Sequence, residues 1–242
     1  FRQLAPFLIK AGHELIAICS HQRPIEIECR VLRYEPPRVP KGLSFNNELS
    51  IEAFERAISI AHLCDQLNSE GWIPDRICAH SGWGESLAIS EVWSEIPQII
   101  WPELWVRPEH GGHGFDPQKS NPKLKNYLEQ ISRNTLTRSA LDMSSAWIIP
   151  TKHQANSFPI KYQRSNMHIV HEGIDVNFAS PNNSVSYEVR GIRINRSIPT
   201  ITFVNRNLER LRGFDTFMRS LPYVLDTHPT VRVLIVGDNE RG

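Results

Sequence analysis

Two arginines stand six residues apart where the sequence predicts a loop between a strand and a helix. Arg206 and Arg212 flank this loop, and the helix is expected to begin near Gly213. The free N–H groups and positive dipole end of a helix start favour a phosphate, and two guanidinium groups there could each bind diphosphate oxygens. Such cations would stabilise a departing nucleoside diphosphate. On spacing alone, a solvated loop face with the arginines paired to Glu209 explains the pattern equally well.

A second polar segment follows a predicted strand in the first half of the chain. Gly82 and Gly84 allow the backbone to turn sharply and to approach a ligand closely. His80, at the strand end, could hydrogen-bond a sugar hydroxyl, and Trp83 could pack its ring on a sugar face. Glu85 could contact an acceptor. The competing interpretation is a structural His80 and a Glu85 that caps the next helix.

Two further segments are less specific. Gly173 is predicted to supply a turn with positive φ, and Asp175 to tie that turn through its side chain, which together describe a hinge. Glu109 lies beside His110 and His113, but these groups are too few and too loosely spaced to predict a metal site. We therefore interpret that segment as a flexible loop and expect no metal.

Composition limits the classes of function. The chain has 242 residues, 40% of them hydrophobic and 22% charged, which is typical of a globular protein with a sizeable core. A formal charge of +1 gives no basic stripe for a nucleic-acid partner. The four cysteines are scattered, which favours a reduced, cytoplasmic protein, with the inner membrane face as a second location. Dinucleotide, P-loop and nucleophile-elbow motifs are missing.

Strands and helices alternate along most of the chain, which predicts an α/β fold. Short buried strands between amphipathic helices indicate a parallel sheet covered on both faces, with ligands beyond the carboxyl ends of its strands. The predicted strands are 14–19, 30–34, 75–79, 98–101, 146–149, 167–170, 200–204 and 231–236, and the main predicted helices are 51–69, 86–94, 124–143 and 152–158.

The pattern also predicts two domains. Residues 177–199 are rich in Asn, Ser and Pro, which is typical of a linker. Residues 1–176 are expected to form a nearly complete domain whose first strand is missing. Residues 200–242 are expected to be the first βαβ unit of a second domain, so that the chain is truncated at both ends.

Taken together, these segments resemble family 4 glycosyltransferases. His80 to Glu85 reads HSGWGE and is similar to the family's H-P-G-W-G-E loop, with Ser in place of Pro. Residues 171–175 read HEGID and resemble its H-D/E-G-I-D turn. Residues 205–214 resemble its N-R-x-x-E-x-x-R-G-F/W signature, and residues 2–6 resemble the helix after its first glycine-rich loop.

The resemblance implies two facing Rossmann-like domains, the GT-B architecture, with substrate in the cleft between them. It implies metal-independent transfer of a sugar from a nucleotide-diphosphate donor to a carbohydrate or lipid-linked acceptor, with retention at the anomeric carbon. The donor is then a co-substrate and no cofactor is expected. By matching position, Arg206 and Arg212 would hold the donor diphosphate, and His80 would lie near the transferred sugar.

Two other classes of function remain open at this stage. A protein of the same fold could bind nucleotide sugars without transferring them, or a related enzyme could epimerise a nucleotide sugar. The acidic motif with which the family grips the donor sugar is missing from these 242 residues, so we expect this fragment alone to have little activity. Peripheral contact with a membrane is a further expectation, consistent with a role in polysaccharide biosynthesis.

Overall fold

A computed structural model describes residues 3–22, 26–114, 116–163 and 166–238. The chain divides into two compact units, residues 1–173 and 174–242, and each is described by itself. Residues 1 and 2, including the Arg2 that opens the family-like helix, lie outside the described residues. Within the described ranges, no helix combines the length and the apolar character that crossing a membrane requires.

The first unit is a mixed α/β structure with parallel strands. Its strands are β1 (Ile16–Ser20), β2 (Arg30–Tyr34), β3 (Ile77–His80), β4 (Gln98–Trp101), β5 (Ala146–Ile149) and β6 (Met167–Ile169). Its helices are α1 (Ala5–Lys10), α2 (Phe45–Ser69), α3 (Leu124–Leu128), α4 (Ile131–Asp142) and α5 (Lys152–Ser157). All strand pairs are parallel, in a two-stranded sheet β1–β2 and a four-stranded sheet ordered β3-β4-β5-β6.

Apolar side chains on both sides of the strands explain the layered packing. Trp147 and Ile149 on β5 are almost fully buried and belong to a core cluster with Phe158 and Tyr162. Helix α2 buries one stripe, which includes Ile60, in a second cluster with residues of β2 and β3. The sheet is thus fixed by its core, and the carboxyl ends of its strands are held in place for the loops that follow.

The second unit begins with an antiparallel hairpin and continues as a βαβ unit. The hairpin joins β7 (Ser186–Val189) to β8 (Ile192–Asn195), and β9 (Thr200–Asn207) pairs in parallel with β10 (Arg232–Asp238). Helix α6 (Phe214–Thr227) connects β9 to β10. Phe203 of β9 packs against two phenylalanines of α6, with ring centroids 5.0 and 5.4 Å away, which attaches the helix to the strands.

The structure differs from the sequence-based prediction in several places. The helix predicted at 124–143 is divided into α3 and α4, with a break at Glu129 and Gln130. The helix predicted at 86–94 is instead a set of tight turns with a 3-10 segment at Ile89–Glu91, because Ile89 and Trp93 are both drawn into the core beneath α2. The predicted linker contains the β7–β8 hairpin, whose turn at Arg190 and Gly191 has positive φ at both residues. Gly173 does not have a positive φ, so the predicted left-handed turn there is wrong.

Candidate functional site

A cavity of about 560 Å³ lies at the carboxyl ends of β3 and β4. One side is formed by the loop after β3 and by the long loop after β4, and the other by residues of α3 and α4. Its volume is in the range that holds a small-molecule ligand. This is the end of the sheet at which parallel α/β proteins bind their ligands, as the sequence predicts for the loop after β3.

His80 is the last residue of β3 and lines this cavity. The Gly82 N–H donates a hydrogen bond to the Nδ1 atom of His80 over 2.9 Å. This bond assigns the proton of the neutral imidazole to Nε2, because Nδ1 must act as the acceptor. Nε2 lies 3.4 Å from a carboxylate oxygen of Glu103. The backbone of the glycine loop therefore presents His80 as an N–H donor at the cavity wall.

Glu103 is the site residue that the sequence did not predict. It follows Pro102 in the loop after β4 and has a φ of +54°, although it carries a side chain. The Leu104 N–H donates to the Pro102 carbonyl over 2.6 Å, so Glu103 is the central residue of a three-residue turn. Such a backbone conformation costs about 1–3 kcal/mol and is found most often at functional sites.

The strained turn at Glu103 places its carboxylate against His80. The hydrogen bond from His80 holds the pKa of Glu103 below its ordinary value, against the opposing effect of burial. The carboxylate is therefore ionised at neutral pH and can accept a hydrogen bond from an N–H or O–H group. His80 and Glu103 together offer a donor and an acceptor side by side, which is the combination that one hydroxyl group can satisfy.

The glycine loop after β3 has a structural side as well as a cavity side. Gly84 has a φ of +96°, and a Cβ atom there would lie 2.2 Å from the Ala53 carbonyl oxygen of α2. Trp83 lines the cavity and is 48% exposed, with the Arg56 guanidinium 5.7 Å from the centre of its ring. Glycine at position 84 therefore permits α2 to pack directly beneath the loop.

Glu85 faces the interior and is not among the cavity-lining residues. Its carboxylate accepts a hydrogen bond from the Tyr34 hydroxyl over 3.0 Å and lies 3.7 Å from Arg56. Burial, followed by the negative charge of Glu85, raises the pKa of Tyr34, so the phenol remains a donor. These contacts tie the loop to β2 and α2, and Glu85 does not cap a following helix, because residues 86–94 form tight turns.

The loop after β4 carries the histidines that the sequence analysis considered as metal ligands. His110 accepts the Arg107 N–H at Nδ1, and Nδ1 of His113 lies 2.9 Å from the Ser120 carbonyl oxygen. The Glu109 carboxylate accepts a hydrogen bond from Tyr127. Among the described residues, no three His, Cys, Asp or Glu side chains are grouped closely enough to hold a metal ion. The loop is thus cross-linked by hydrogen bonds to its own backbone and to α3.

The two predicted diphosphate-binding arginines lie in different elements of the second unit. Arg206 lies within β9 and not in a loop. It stands next to an irregularity in the pairing, where Val204 and Asn207 of β9, three positions apart, pair with Val236 and Asp238 of β10, two positions apart. Such a β-bulge adds one residue to a strand and can redirect a side chain. Gly237 lies opposite, and a Cβ atom there would be 2.7 Å from the Asn205 carbonyl oxygen. A small residue at 237 therefore accommodates the bulge beside Arg206.

Arg212 ends a 3-10 turn directly before α6. Its Nε atom donates to the Glu209 carboxylate over 2.9 Å, the pairing that the sequence analysis considered as an alternative. Gly213 has a φ of +80° and caps the start of α6. Arg212 and Gly213 thus lie together at the helix start, while Arg206 lies in the strand that leads to it.

The predicted hinge is held by one side chain. The carboxylate of Asp175 accepts the backbone N–H groups of Asn177 and Phe178 over 2.9 and 3.1 Å. The turn is thus stabilised at Asp175, two residues after the glycine that was expected to shape it. Asp175 belongs to the second compact unit, and Gly173 ends the first.

A parallel α/β fold with a polar cavity beyond its strand ends is typical of enzymes that bind small polar substrates. Residues 11–179 match the family model described as the glycosyl transferase family 4 group, so the chain belongs to this family. The match covers the first unit from residue 11 and the turn at Asp175. No curated protein matches the chain.

Proposed function

We propose that this protein transfers a sugar from a nucleotide-diphosphate donor to a carbohydrate or lipid-linked acceptor, with retention of configuration. Family membership supports glycosyl transfer in general. The observation that carries the finer proposal is the His80–Glu103 pair at the strand ends, because it offers one donor and one acceptor to a sugar hydroxyl. The donor is proposed as a co-substrate, without a cofactor or a metal.

In this proposal the first unit is the acceptor side, with residues 1–176 as one domain. His80 donates from Nε2 to a hydroxyl of the transferred sugar, and Trp83 offers its exposed ring to a sugar face. Gly82 keeps the His80 proton on Nε2 and Gly84 anchors the loop on α2. A neutral imidazole that only donates can recognise a hydroxyl without taking its proton.

In the second unit, Arg206, Arg212 and Gly213 are proposed to bind the donor diphosphate. Arg212 would exchange its Glu209 partner for phosphate oxygens, while Arg206 is exposed and free of carboxylate partners among the described residues. Two guanidinium groups would stabilise the charge that develops on the leaving diphosphate. We further propose residues 177–199 as the linker, residues 200–242 as part of the donor-side domain, and a cytoplasmic location, at or near the inner membrane face.

The test measures nucleoside diphosphate release when the purified full-length protein is incubated with UDP-, GDP- and ADP-sugars and candidate acceptors. Proton NMR of the product then gives its anomeric configuration. We expect His80→Ala to lower kcat at least tenfold, and Arg206→Gln with Arg212→Gln to raise the donor KM at least tenfold. Arg219→Gln is the matched control, since Arg219 is exposed on α6 and carries the same charge.

Three outcomes would contradict the proposal. Binding of nucleotide sugars without release of nucleotide would favour a binding protein. Conversion of the sugar without release of nucleotide would favour an epimerase. Equal losses in the control variant and in the double arginine variant would remove the diphosphate role from Arg206 and Arg212.

A further inference from the structure

Three cationic side chains line the cavity of the first unit. Arg107 precedes a 3-10 turn in the loop after β4, Lys119 lies further along the same loop, and Arg133 lies on α4. They come from two segments of the chain, the loop after β4 and helix α4, so no local sequence pattern places all three together. Their common feature is that each contributes to the wall of one cavity.

Two of these cations are held by neutral groups rather than by acids. The Lys119 ammonium donates to the Gly111 carbonyl, and the Arg133 guanidinium lies over the Phe45 ring at 5.1 Å. Within the described ranges, none of the three forms an ion pair with a carboxylate. By contrast, Arg30 and Arg56 of the same unit both pair with glutamates.

Within the described ranges no acid near the cavity forms an ion pair with these cations, although Arg107, after the hydrogen bonds to the Glu109 carboxylate from its own backbone and from Tyr127, also lowers the pKa of Glu109. Glu103 is engaged by His80, and Glu109 is engaged by the Tyr127 hydroxyl. The remaining lining acid, Glu129, is exposed and forms no ion pair with these cations. Burial is the largest cause that lowers the pKa of His110; the positive charge of Arg107 adds to this effect and the negative charge of Glu109 opposes it.

We propose that the cavity binds an acceptor that carries an anionic group, a phosphate or a carboxylate, at Arg107, Lys119 and Arg133. Guanidinium groups form paired hydrogen bonds with such oxygens, and three fixed cations compensate a phosphate. The term acceptor rests on the proposed function, whereas the anion site rests on the cavity alone. The hydroxyl groups of the same ligand would then face His80 and Glu103, on the same cavity wall.

The test needs neither donor nor turnover. Glucose 6-phosphate and glucose are titrated into the isotope-labelled protein, and the affinity is measured from the NMR shifts of cavity residues. We expect glucose 6-phosphate to bind at least tenfold more tightly than glucose, and the difference to shrink when salt is raised from about 50 to 500 mM, since screening weakens exposed charge pairs. Vesicles containing phosphatidylglycerol, compared with phosphatidylcholine alone, test a lipid headgroup as the source of the anion.

The variants decide where the anion binds. Arg107→Gln with Arg133→Gln should weaken glucose 6-phosphate or phosphatidylglycerol binding at least tenfold, and Lys119→Gln by a smaller factor. Arg76→Gln removes the same charge from an exposed arginine whose guanidinium donates to the Asp75 carbonyl, and it should leave binding unchanged. Binding that is equal for glucose and its phosphate and absent for both vesicles, or that survives the double variant, would overturn the anion site.

Failure of this inference can be separated from failure of the proposed function. If transfer is observed with a neutral acceptor while the anion site is absent, only the substrate class is wrong. If glucose 6-phosphate binds as expected and no nucleotide is ever released, the cavity is an anion site in a protein that does not transfer sugar. Circular dichroism of each variant confirms that the fold is intact before its binding is compared.

Discussion

Replacing Glu103 with glycine tests whether the strained backbone exists in order to place its side chain. A residue with a Cβ at positive φ costs about 1–2 kcal/mol relative to glycine. Glycine loses about 0.5–1 kcal/mol more backbone entropy on folding. The lost contact with His80 is worth less than about 1 kcal/mol, because the Glu103 side chain is 63% exposed. These terms nearly cancel, so Glu103→Gly should be about as stable as the natural protein.

The same substitution should lower the activity of the protein although its stability is unchanged. Without the Glu103 carboxylate, the Nε2–H group of His80 loses the hydrogen-bond acceptor beside it. We therefore expect the rate of sugar transfer to fall at least tenfold. The free energy of unfolding is measured in urea, and transfer by nucleotide release. Glu103→Ala keeps the strain and loses the carboxylate, so it should be about 1 kcal/mol less stable than Glu103→Gly.

Arg190 provides the matched control, since it is the other described non-glycine residue with positive φ. It lies in the turn of the β7–β8 hairpin, and Arg190→Gly should relieve similar strain without changing activity. An alanine at position 103 that is as stable as glycine there would refute the strained turn. A Glu103→Gly variant with full activity would refute the role of the carboxylate.

Three further predictions concern Glu103, Gly84 and Gly237. Because the hydrogen bond from His80 lowers the pKa of Glu103, the pair stabilises the fold above the ordinary carboxyl pKa of about 4.3, and this contribution is lost as pH falls through the lowered value. In urea unfolding, Glu103→Gln and the natural protein should therefore differ in stability at neutral pH, and the difference should disappear as the pH falls below that lowered value. Gly84→Ala should destabilise the protein by about 2–4 kcal/mol in the same assay, because its Cβ atom would collide with the Ala53 carbonyl of α2. Gly237→Ala should disturb the bulge in β9, so that the affinity for the sugar donor falls in calorimetry while the thermal midpoint of unfolding changes little. An unchanged donor affinity would contradict this prediction.

The strands were the most predictable part of the fold. Strands β2, β4 and β5 have the predicted bounds, because short apolar runs between turn residues have few other ways to be buried. The segment 86–94 has helical spacing, yet it forms tight turns since Gly84 is packed on α2 and Ile89 and Trp93 reach into the core from there. Long-range packing, which a local pattern does not contain, decided this segment.

The candidate site was only partly predictable for a related reason. His80 and its glycines were identified because they follow a strand in a recognisable order. Glu103 was missed because positive φ is rare for glutamate, and because its partner lies 23 positions earlier in the sequence. The cations Arg107 and Arg133 were missed because only the fold brings the loop after β4 next to α4.

The two parts of the cavity depend on different kinds of structure, and this bears on how its specificity can change. His80 stands at the end of a packed strand and is oriented by the backbone N–H of Gly82. Side-chain substitutions in the surrounding loops should therefore leave the Nε2–H group of His80 in place. The cations lie on the loop after β4 and on α4, and neutral contacts fix them. The proposed hydroxyl site is therefore formed by His80 at the end of β3 and by Glu103 just after β4, whereas the proposed choice of anionic group depends on residues 104–133. Exchanging that segment for one from another family member should change the preferred acceptor and leave the donor KM unchanged.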